Sequence, residues 1–356
     1  MNTYAYSVTV TDPNNNCVVY SYAPIMNMTP VEQSRTYYQG CGSTAPVLKT
    51  VATTYAYDTT TPPGGTTGAY GVRPSQVTTT LANGQSSMTQ TQYEPFTWSD
   101  SAVIGTRMNP TSISEFDHGA SSPTLTTTYT YLHNTGSSTV PASTYLAKNI
   151  VDRVRSKTIY AGSATGTPIQ TVTYDYDNYT GGVTASGAVQ HDAAAGNYGN
   201  VTSATTTDVA GSTSYTTSYS YEDTGNIVKV TDPKGNSTGY SWADTWSDSS
   251  CALQGTSQGH IYLTGITNAK QQTLNYSYNS CTGTLASMSD VNSQSTTFQY
   301  DALGRTLEVD YPDGGQKGFS YNDPASMTAT QKIGQANRLI RLQQSSMGWE
   351  GRHRLK

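Results

Sequence analysis

The string Gly255-Thr256-Ser257-Gln258-Gly259, with His260 directly after it, has the spacing of a serine hydrolase's nucleophile elbow. That chemistry needs a strained strand-to-helix turn that lifts the serine hydroxyl above a sheet, and a histidine that approaches it from elsewhere in the fold. The residues that follow, from His260 to Ile266, read as strand, and a histidine adjacent in sequence cannot easily reach back to act as the base. With 32 glycines in the chain such a string arises cheaply. Ser257 is therefore given no catalytic role, and the expected set of catalytic, cofactor-binding and metal-binding residues is empty.

The other chemistry-bearing residues are equally scattered. His118, His133, His191, His260 and His353 lack the HxH or HExxH spacing of a metal site. Asp175-Tyr176-Asp177-Asn178 begins like a calcium loop but lacks the glycine and distal glutamate of an EF-hand. Cys17, Cys41, Cys251 and Cys281 form two distant groups without CxxC spacing. Cys17 with Cys41 and Cys251 with Cys281 are the natural disulfides, although four cysteines allow three connectivities and buried free thiols are the other reading. Five glycosylation sequons, at Asn27, Asn178, Asn200, Asn236 and Asn275, are what a Thr- and Asn-rich composition yields by chance.

The composition shows what these residues are mounted on. Of 356 residues only 12% are charged and 35% hydrophobic, while 28 are tyrosine. Tyrosine and threonine favour strands, and glycine, asparagine and aspartate favour turns, so the fold is expected to be all-β. The net charge of −5 divides into +5 over residues 332–356 and −10 over the rest, which gives no support to nucleic-acid binding. No window is long and apolar enough for a membrane span, and the first residues lack the basic and apolar regions of a signal peptide. Either the chain is cytoplasmic, or it is a piece of a longer secreted protein whose signal lies elsewhere.

Four 18-residue segments align without gaps, at 225–242, 261–278, 283–300 and 304–321. Their sixteenth positions are Tyr240, Tyr276, Phe298 and Phe319, and their eighteenth are Trp242, Tyr278, Tyr300 and Tyr321. Two aromatics separated by one residue share a face of a strand, so each unit sets a pair of rings on one side of a sheet. The sixth positions, Val230, Ile266, Met288 and Val309, supply apolar residues on the other strand. Turns are expected at 232–235, 268–271, 290–293 and 312–315, with turn-forming residues in three of the four, so each unit reads as a β-hairpin. A lone hairpin is marginal in water, so the units must stack or pair with their neighbours. The third positions, Ile227, Leu263, Leu285 and Thr306, break the two-residue alternation, which calls for a β-bulge or a late strand start.

Upstream, paired aromatics recur more loosely, from Tyr4 and Tyr6 to Tyr219 and Tyr221, and the stretches 61–75, 161–168 and 181–199 read as long hairpin loops. The chain is thus expected to comprise a degenerate hairpin region at 1–196, clear repeats at 197–323, and a basic, weakly helical, non-repeat tail at 324–356.

The string Tyr300-Asp301-Ala302-Leu303-Gly304-Arg305, followed by Leu307, Val309, Tyr311-Pro312-Asp313-Gly314 and Phe319-Ser320-Tyr321, resembles the repeat signature of Rhs and YD-repeat proteins. Tyr221 to Asn226 with Val230 to Gly235 resembles a second copy. The resemblance implies tandem hairpins that form a spiralling antiparallel ribbon or partial hollow shell. It also implies a non-enzymatic segment of a secreted or surface protein, with the remainder of a longer Rhs-type chain or an enclosed toxin domain as partner. In toxin members an aspartate-dependent self-cleavage at a DPxGL-like motif is implied; here Asp232-Pro233-Lys234-Gly235-Asn236 and Asp323-Pro324-Ala325-Ser326-Met327 both depart from it, so no aspartate is carried over as catalytic. The runner-up reading is an adhesin that binds carbohydrate through exposed aromatic rings.

Overall fold

A computed structural model of the chain describes residues 4–26, 29–59, 68–94, 108–179, 182–189, 196, 198–252, 259–322, 326–333 and 339–345. The chain divides into two compact units, Met1–Asn178 with Asn197–Thr216, and Tyr179–Gly196 with Thr217–Lys356.

The first unit is built from β1 (Tyr6–Thr11), β2 (Cys17–Ala23), β3 (Val31–Tyr38), β4 (Val47–Asp58), β5 (Tyr70–Leu81), β6 (Ser86–Tyr93), β7 (Pro110–Phe116), β8 (Leu125–Tyr131), β9 (Val154–Ala161), β10 (Pro168–Tyr176) and β11 (Val201–Asp208). Each pairs antiparallel with the next in sequence, as a succession of hairpins demands. Between β8 and β9 stand two short helices, α1 (Leu132–Thr135) and α2 (Ala142–Ala147). They close a small core in which Leu132, Val140, Tyr145 and Tyr176 pack together, with Ile150, Tyr174 and Val201 at its margin.

Through β12 (Thr213–Tyr221) the chain passes from the first unit into the second. The second unit continues with β13 (Ile227–Thr231), β14 (Ser237–Ser241), β15 (Gly265–Thr267), β16 (Thr273–Tyr278), β17 (Leu285–Ser289), β18 (Ser295–Tyr300), β19 (Thr306–Asp310), β20 (Gln316–Asn322), β21 (Ser326–Lys332) and β22 (Leu339–Ser345). Again each pairs antiparallel with its successor. The all-β expectation holds.

Register assigns the residues of the second unit to two unlike faces. One carries Val230, Tyr240, Ile266, Tyr276, Met288, Phe298, Val309 and Phe319, the sixth and sixteenth positions of the repeat. On the other, Ser, Thr, Gly, Asn and Gln dominate, and facing hydroxyls bond across neighbouring strands: Thr231 with Ser237, Thr267 with Thr273, and Ser277 with Ser287, at 2.7–3.0 Å. Similar pairs, Thr80 with Ser86 and Thr130 with Ser156, recur in the first unit. Such cross-strand pairs contribute roughly 0.2–1 kcal/mol each, which helps explain how a chain so poor in aliphatic residues sustains strands.

Three expectations need correction. The fourth turn lies one residue earlier than its glycines suggested: Gly314 N–H donates to Tyr311 O, which puts Pro312 at the second turn position, where its fixed φ fits. Strand β5 begins at Tyr70, inside the stretch read as a loop. The tail is not helical where it is described, because β21 and β22 add a hairpin to β20. A short segment with one weak apolar stripe cannot pass the cost of helix nucleation alone, whereas the edge of β20 offers it ready backbone partners.

Candidate functional site

The aromatic residue at or near the end of seven even-numbered strands proves to be a latch. A tyrosine hydroxyl donates to a backbone carbonyl at or near the start of the preceding strand: Tyr55 to Glu32, Tyr93 to Pro74, Tyr131 to Pro110 and Tyr176 to Val154 in the first unit. In the second unit Trp242 donates through its indole N–H to Ile227, Tyr278 to Leu263 and Tyr321 to Thr306, at 2.8–2.9 Å.

The acceptors form a pattern of their own. Glu32 is paired with Tyr22, Pro74 with Tyr55, Pro110 with Tyr93, and Val154 with Tyr131, so each of these four latches closes on the residue opposite the tyrosine near the end of the previous even-numbered strand. The same holds for Ile227 opposite Tyr221 and Thr306 opposite Tyr300. Latches therefore couple hairpin to hairpin, and the spacing of one unit sets that of the next.

A register shift falls immediately before a tyrosine nine times: at Tyr22, Tyr38, Tyr55, Tyr93, Tyr131, Tyr176, Tyr221, Tyr278 and Tyr300. A bulge of this kind re-aims the side chain at a strand end. The broken alternation at Ile227, Leu285 and Thr306 is this bulge seen from the facing strand. Pro74 and Pro110 sit at two of these shifts, where a missing N–H costs least.

The residues after the tyrosine complete the unit. Asp301 Oδ1 accepts the N–H groups of Leu303 and Arg305, both at 2.9 Å. Gly304 takes φ +76°, the left-handed backbone that glycine adopts freely. The Arg305 guanidinium donates to Asp301 Oδ2 at 2.6 Å and lies 4.4 Å over the Tyr321 ring, tying the turn to the next latch. Burial pulls the Asp301 carboxyl upward, but the hydrogen bonds from Arg305 and Leu303 outweigh it and hold the group below its ordinary value.

The same carboxylate cradle closes the opposite hairpin ends. Asp12 accepts from Asn14 and Asn16, and Asp232 from Lys234 and Asn236, all at 2.8 Å. Where longer segments are inserted after the tyrosine, the acid still meets the far side of the turn. Asp177 accepts the N–H groups of Gly199 and Asn200, across the insertion. Glu94 accepts from the Asn109 side chain at 2.8 Å.

Two buried glutamates also hold histidines. His133 Nε2 lies 2.9 Å from Glu94 Oε1, and His260 Nδ1 lies 3.1 Å from Glu222 Oε2. Glu222 further accepts from Thr224 and Asn226, and the backbone N–H groups of Gly259 and His260 donate to Asp244. His260 is thus a clasp that fastens the segment between β14 and β15; Ser257 lies outside the described residues. The Asp175-to-Asn178 string is likewise occupied by protein donors, since Asp175 accepts from Ser138 and Asn178 and pairs with Arg155. Among the described residues no group of three His, Cys, Asp or Glu is placed to hold a metal ion.

Both natural cysteine pairs are bonded, Cys17–Cys41 and Cys251–Cys281, with Cα atoms 5.0 and 4.8 Å apart. The second disulfide fastens the same segment between β14 and β15 to the β16–β17 turn. Asp248 on Ser280, and the Trp246, Tyr262 and Tyr278 rings packed in series, add to it.

The paired rings of the repeat line a groove of about 510 Å³ in the second unit, with Phe298, Tyr300, Phe319 and Tyr321 on its walls beside Met288 and Val309. All four rings are half-buried. Sequence reasoning found these columns but missed the latch, because its acceptors are backbone carbonyls that leave no residue-type signature. It also missed the Glu–His clasps, whose members stand 38 and 39 residues apart.

Residues 197–350 match the Teneurin YD-shell family. No curated protein matches the chain. Among solved structures, a TcdB2-TccC3-Cdc42 complex is 14% identical over 91% of this chain, with a TM-score of 0.31. The Photorhabdus luminescens Tc holotoxin pore is 13% identical over 90%, also at 0.31. A porin-like protein from Bacteroides uniformis is 10% identical over 96% of both chains, at 0.22. Scores this low carry no argument, and the chain spans only 17% of the length of the two toxin-complex chains. Among the described residues no helix is long and apolar enough to cross a membrane. The family match covers the segment in which tyrosine latch, aspartate cradle, left-handed glycine and bridging arginine were found, and over residues 197–350 the chain is similar to the YD-repeat shells.

Proposed function

We propose that this chain is a non-enzymatic shell segment of a longer secreted or surface protein, of the kind that encloses a toxin or effector domain. The observation that carries the reading is the latch series: the most distinctive side chains of the repeat spend their polar groups on the chain's own backbone and fix hairpin spacing. Side chains so used serve construction. Two disulfides support an oxidising compartment. Protease treatment of the full-length parent tests enclosure. A downstream domain that resists digestion in the intact parent, yet is cut rapidly when produced alone, is the expected outcome. Equal digestion in both settings would sink it.

The groove favours a second reading, carbohydrate binding, because Met288 and Tyr311 keep 43% and 40% of their surfaces in solvent. Glycan-array binding that is lost in Tyr311→Ala would support it. No binding by the folded chain leaves the construction role alone.

A further inference from the structure

We propose that Tyr6 and Tyr22 are an oxidative cross-linking site, at which a dityrosine bond staples the exposed strand β1 to β2. The two residues are direct partners in the ladder. Their rings stack with centroids 4.9 Å apart and planes 15° from parallel. Tyr6 keeps 47% of its surface in solvent, and every residue of β1 is exposed. A one-electron oxidant can therefore reach the phenol, and the radical it makes already faces a second phenol.

Other tyrosines lack this combination. Tyr262 and Tyr278 stack at 4.7 Å, but the Tyr278 hydroxyl is committed to Leu263 and its ring is half-buried. Tyr131 and Tyr176 are buried, and burial holds their phenol protons up to about 12. Tyr4 is the most exposed tyrosine, yet it lies outside the ladder of β1 with β2.

The required oxidant is a haem peroxidase with hydrogen peroxide, in the same oxidising setting that forms the disulfides. Each phenol gives up one electron and its hydroxyl proton. The two radicals couple through ring carbons ortho to their oxygens, and the ring hydrogens at the new bond move to those oxygens as both rings regain aromaticity. The pair loses two hydrogen atoms in all, and one peroxide takes up two electrons and two protons to become two waters. The bond extends the staple begun by Cys17–Cys41, which ties β2 to the turn between β3 and β4. Strand β1 then becomes covalently fixed where burial holds it least. This inference does not depend on the shell reading.

The test treats the dilute, disulfide-intact full chain with a haem peroxidase and peroxide, then maps cross-linked peptides by tandem mass spectrometry. The expected product joins the Tyr6 and Tyr22 peptides, two hydrogens lighter than their sum, with dityrosine fluorescence. Tyr6→Phe and Tyr22→Phe each abolish it, and Tyr262→Phe leaves it intact. Dominance of another pair, of intermolecular products, or an undiminished Tyr6–Tyr22 mass in either partner variant overturns the proposal. Should a variant lose its sheet by circular dichroism, the site map of the unaltered chain alone decides.

Discussion

The two units use one latch on hairpins of different length. In the second unit donor and acceptor stand 15 residues apart at Trp242, Tyr278 and Tyr321. In the first they stand 19 to 23 apart, on strands of up to twelve residues. A backbone carbonyl is available on any strand, so the latch imposes the position where two strands meet and leaves the length of the hairpin free. Burial differs too. The first unit holds a small closed core around Leu132 and Tyr145, while the rings of the second line a half-open groove.

The largest expected effect separates those two kinds of burial. Tyr145 is fully buried, and its truncation to alanine leaves a cavity that the short helices cannot collapse into, so a loss of about 4 kcal/mol is expected. Tyr300, half-buried on the groove, is expected to lose about half as much, roughly 2 kcal/mol. Denaturant titration of both variants measures the pair. Equal losses would break the distinction between a closed core and a groove.

Alkali sharpens the same contrast. Burial pushes the Tyr131 and Tyr176 phenols from 10.0 up to about 12. A phenol that holds its proton more tightly in the folded chain stabilises the fold fully below pH 10, and that contribution is lost as pH rises through about 12. The first unit is therefore expected to weaken across that interval, followed by tyrosinate absorbance together with circular dichroism. Ionisation of Tyr131 and Tyr176 near 10 without loss of structure would show that the latches are not sealed.

Removing a single latch hydroxyl is a smaller step. Tyr176→Phe leaves the Val154 carbonyl without that donor beside a buried ring, for about 2 kcal/mol, and Tyr278→Phe, on a half-buried ring, costs about 1 kcal/mol. A reversed order of the two midpoints would contradict the idea that latch strength follows burial.

How much of this was legible depended on whether a feature has its own residue type. Tyr240, Tyr276, Phe298 and Phe319 announce a face because aromatic rings at fixed spacing are rare by chance, and Asp232 with Gly235 announces a turn. Ile227 and Thr306 announce nothing as acceptors, since any residue has a carbonyl. Glu222 and His260 are ordinary until folding brings them together. The tail misled because Ile333, Leu339, Ile340 and Leu342 suit a short helix, while a free strand edge decides otherwise. Upstream, insertions such as the one between Asp177 and Gly199 hide the period although the acid still caps the same turn.

Turn chemistry supplies a test with the opposite sign. Gln271 and Ser293 occupy the left-handed position that glycine fills at Gly235 and Gly304, each with φ +61°. An L side chain there is strained, and Gln271→Gly should raise stability by roughly 0.5–1 kcal/mol despite the greater freedom of glycine in the unfolded chain. A fall in the unfolding midpoint would mean that the side chain contributes more than the backbone strain costs.

The smallest effect concerns a loop that sequence alone presents as inert. Ser186 lies in the Gly- and Ala-rich stretch after Tyr179, where no strand pattern points to a partner, and alanine there reads as neutral. In the second unit its backbone N–H donates to Asp223 Oδ1 at 3.0 Å, and its hydroxyl donates to the same oxygen. The hydroxyl also accepts the Ala188 N–H at 3.0 Å. Asp223 is the third residue of the Tyr221-to-Asn226 turn, so the serine pins the loop onto a repeat element. Ser186→Ala keeps the backbone bond and deletes the other two, in a half-buried setting, and about 0.5–1 kcal/mol is the expected loss. Leu303, 75% exposed at the tip of the Asp301 turn, is the proper reference, and Leu303→Ser should stay within about 0.5 kcal/mol of the parent. Indistinguishable midpoints for the two variants would show that the loop rests on Asp223 without being held by it.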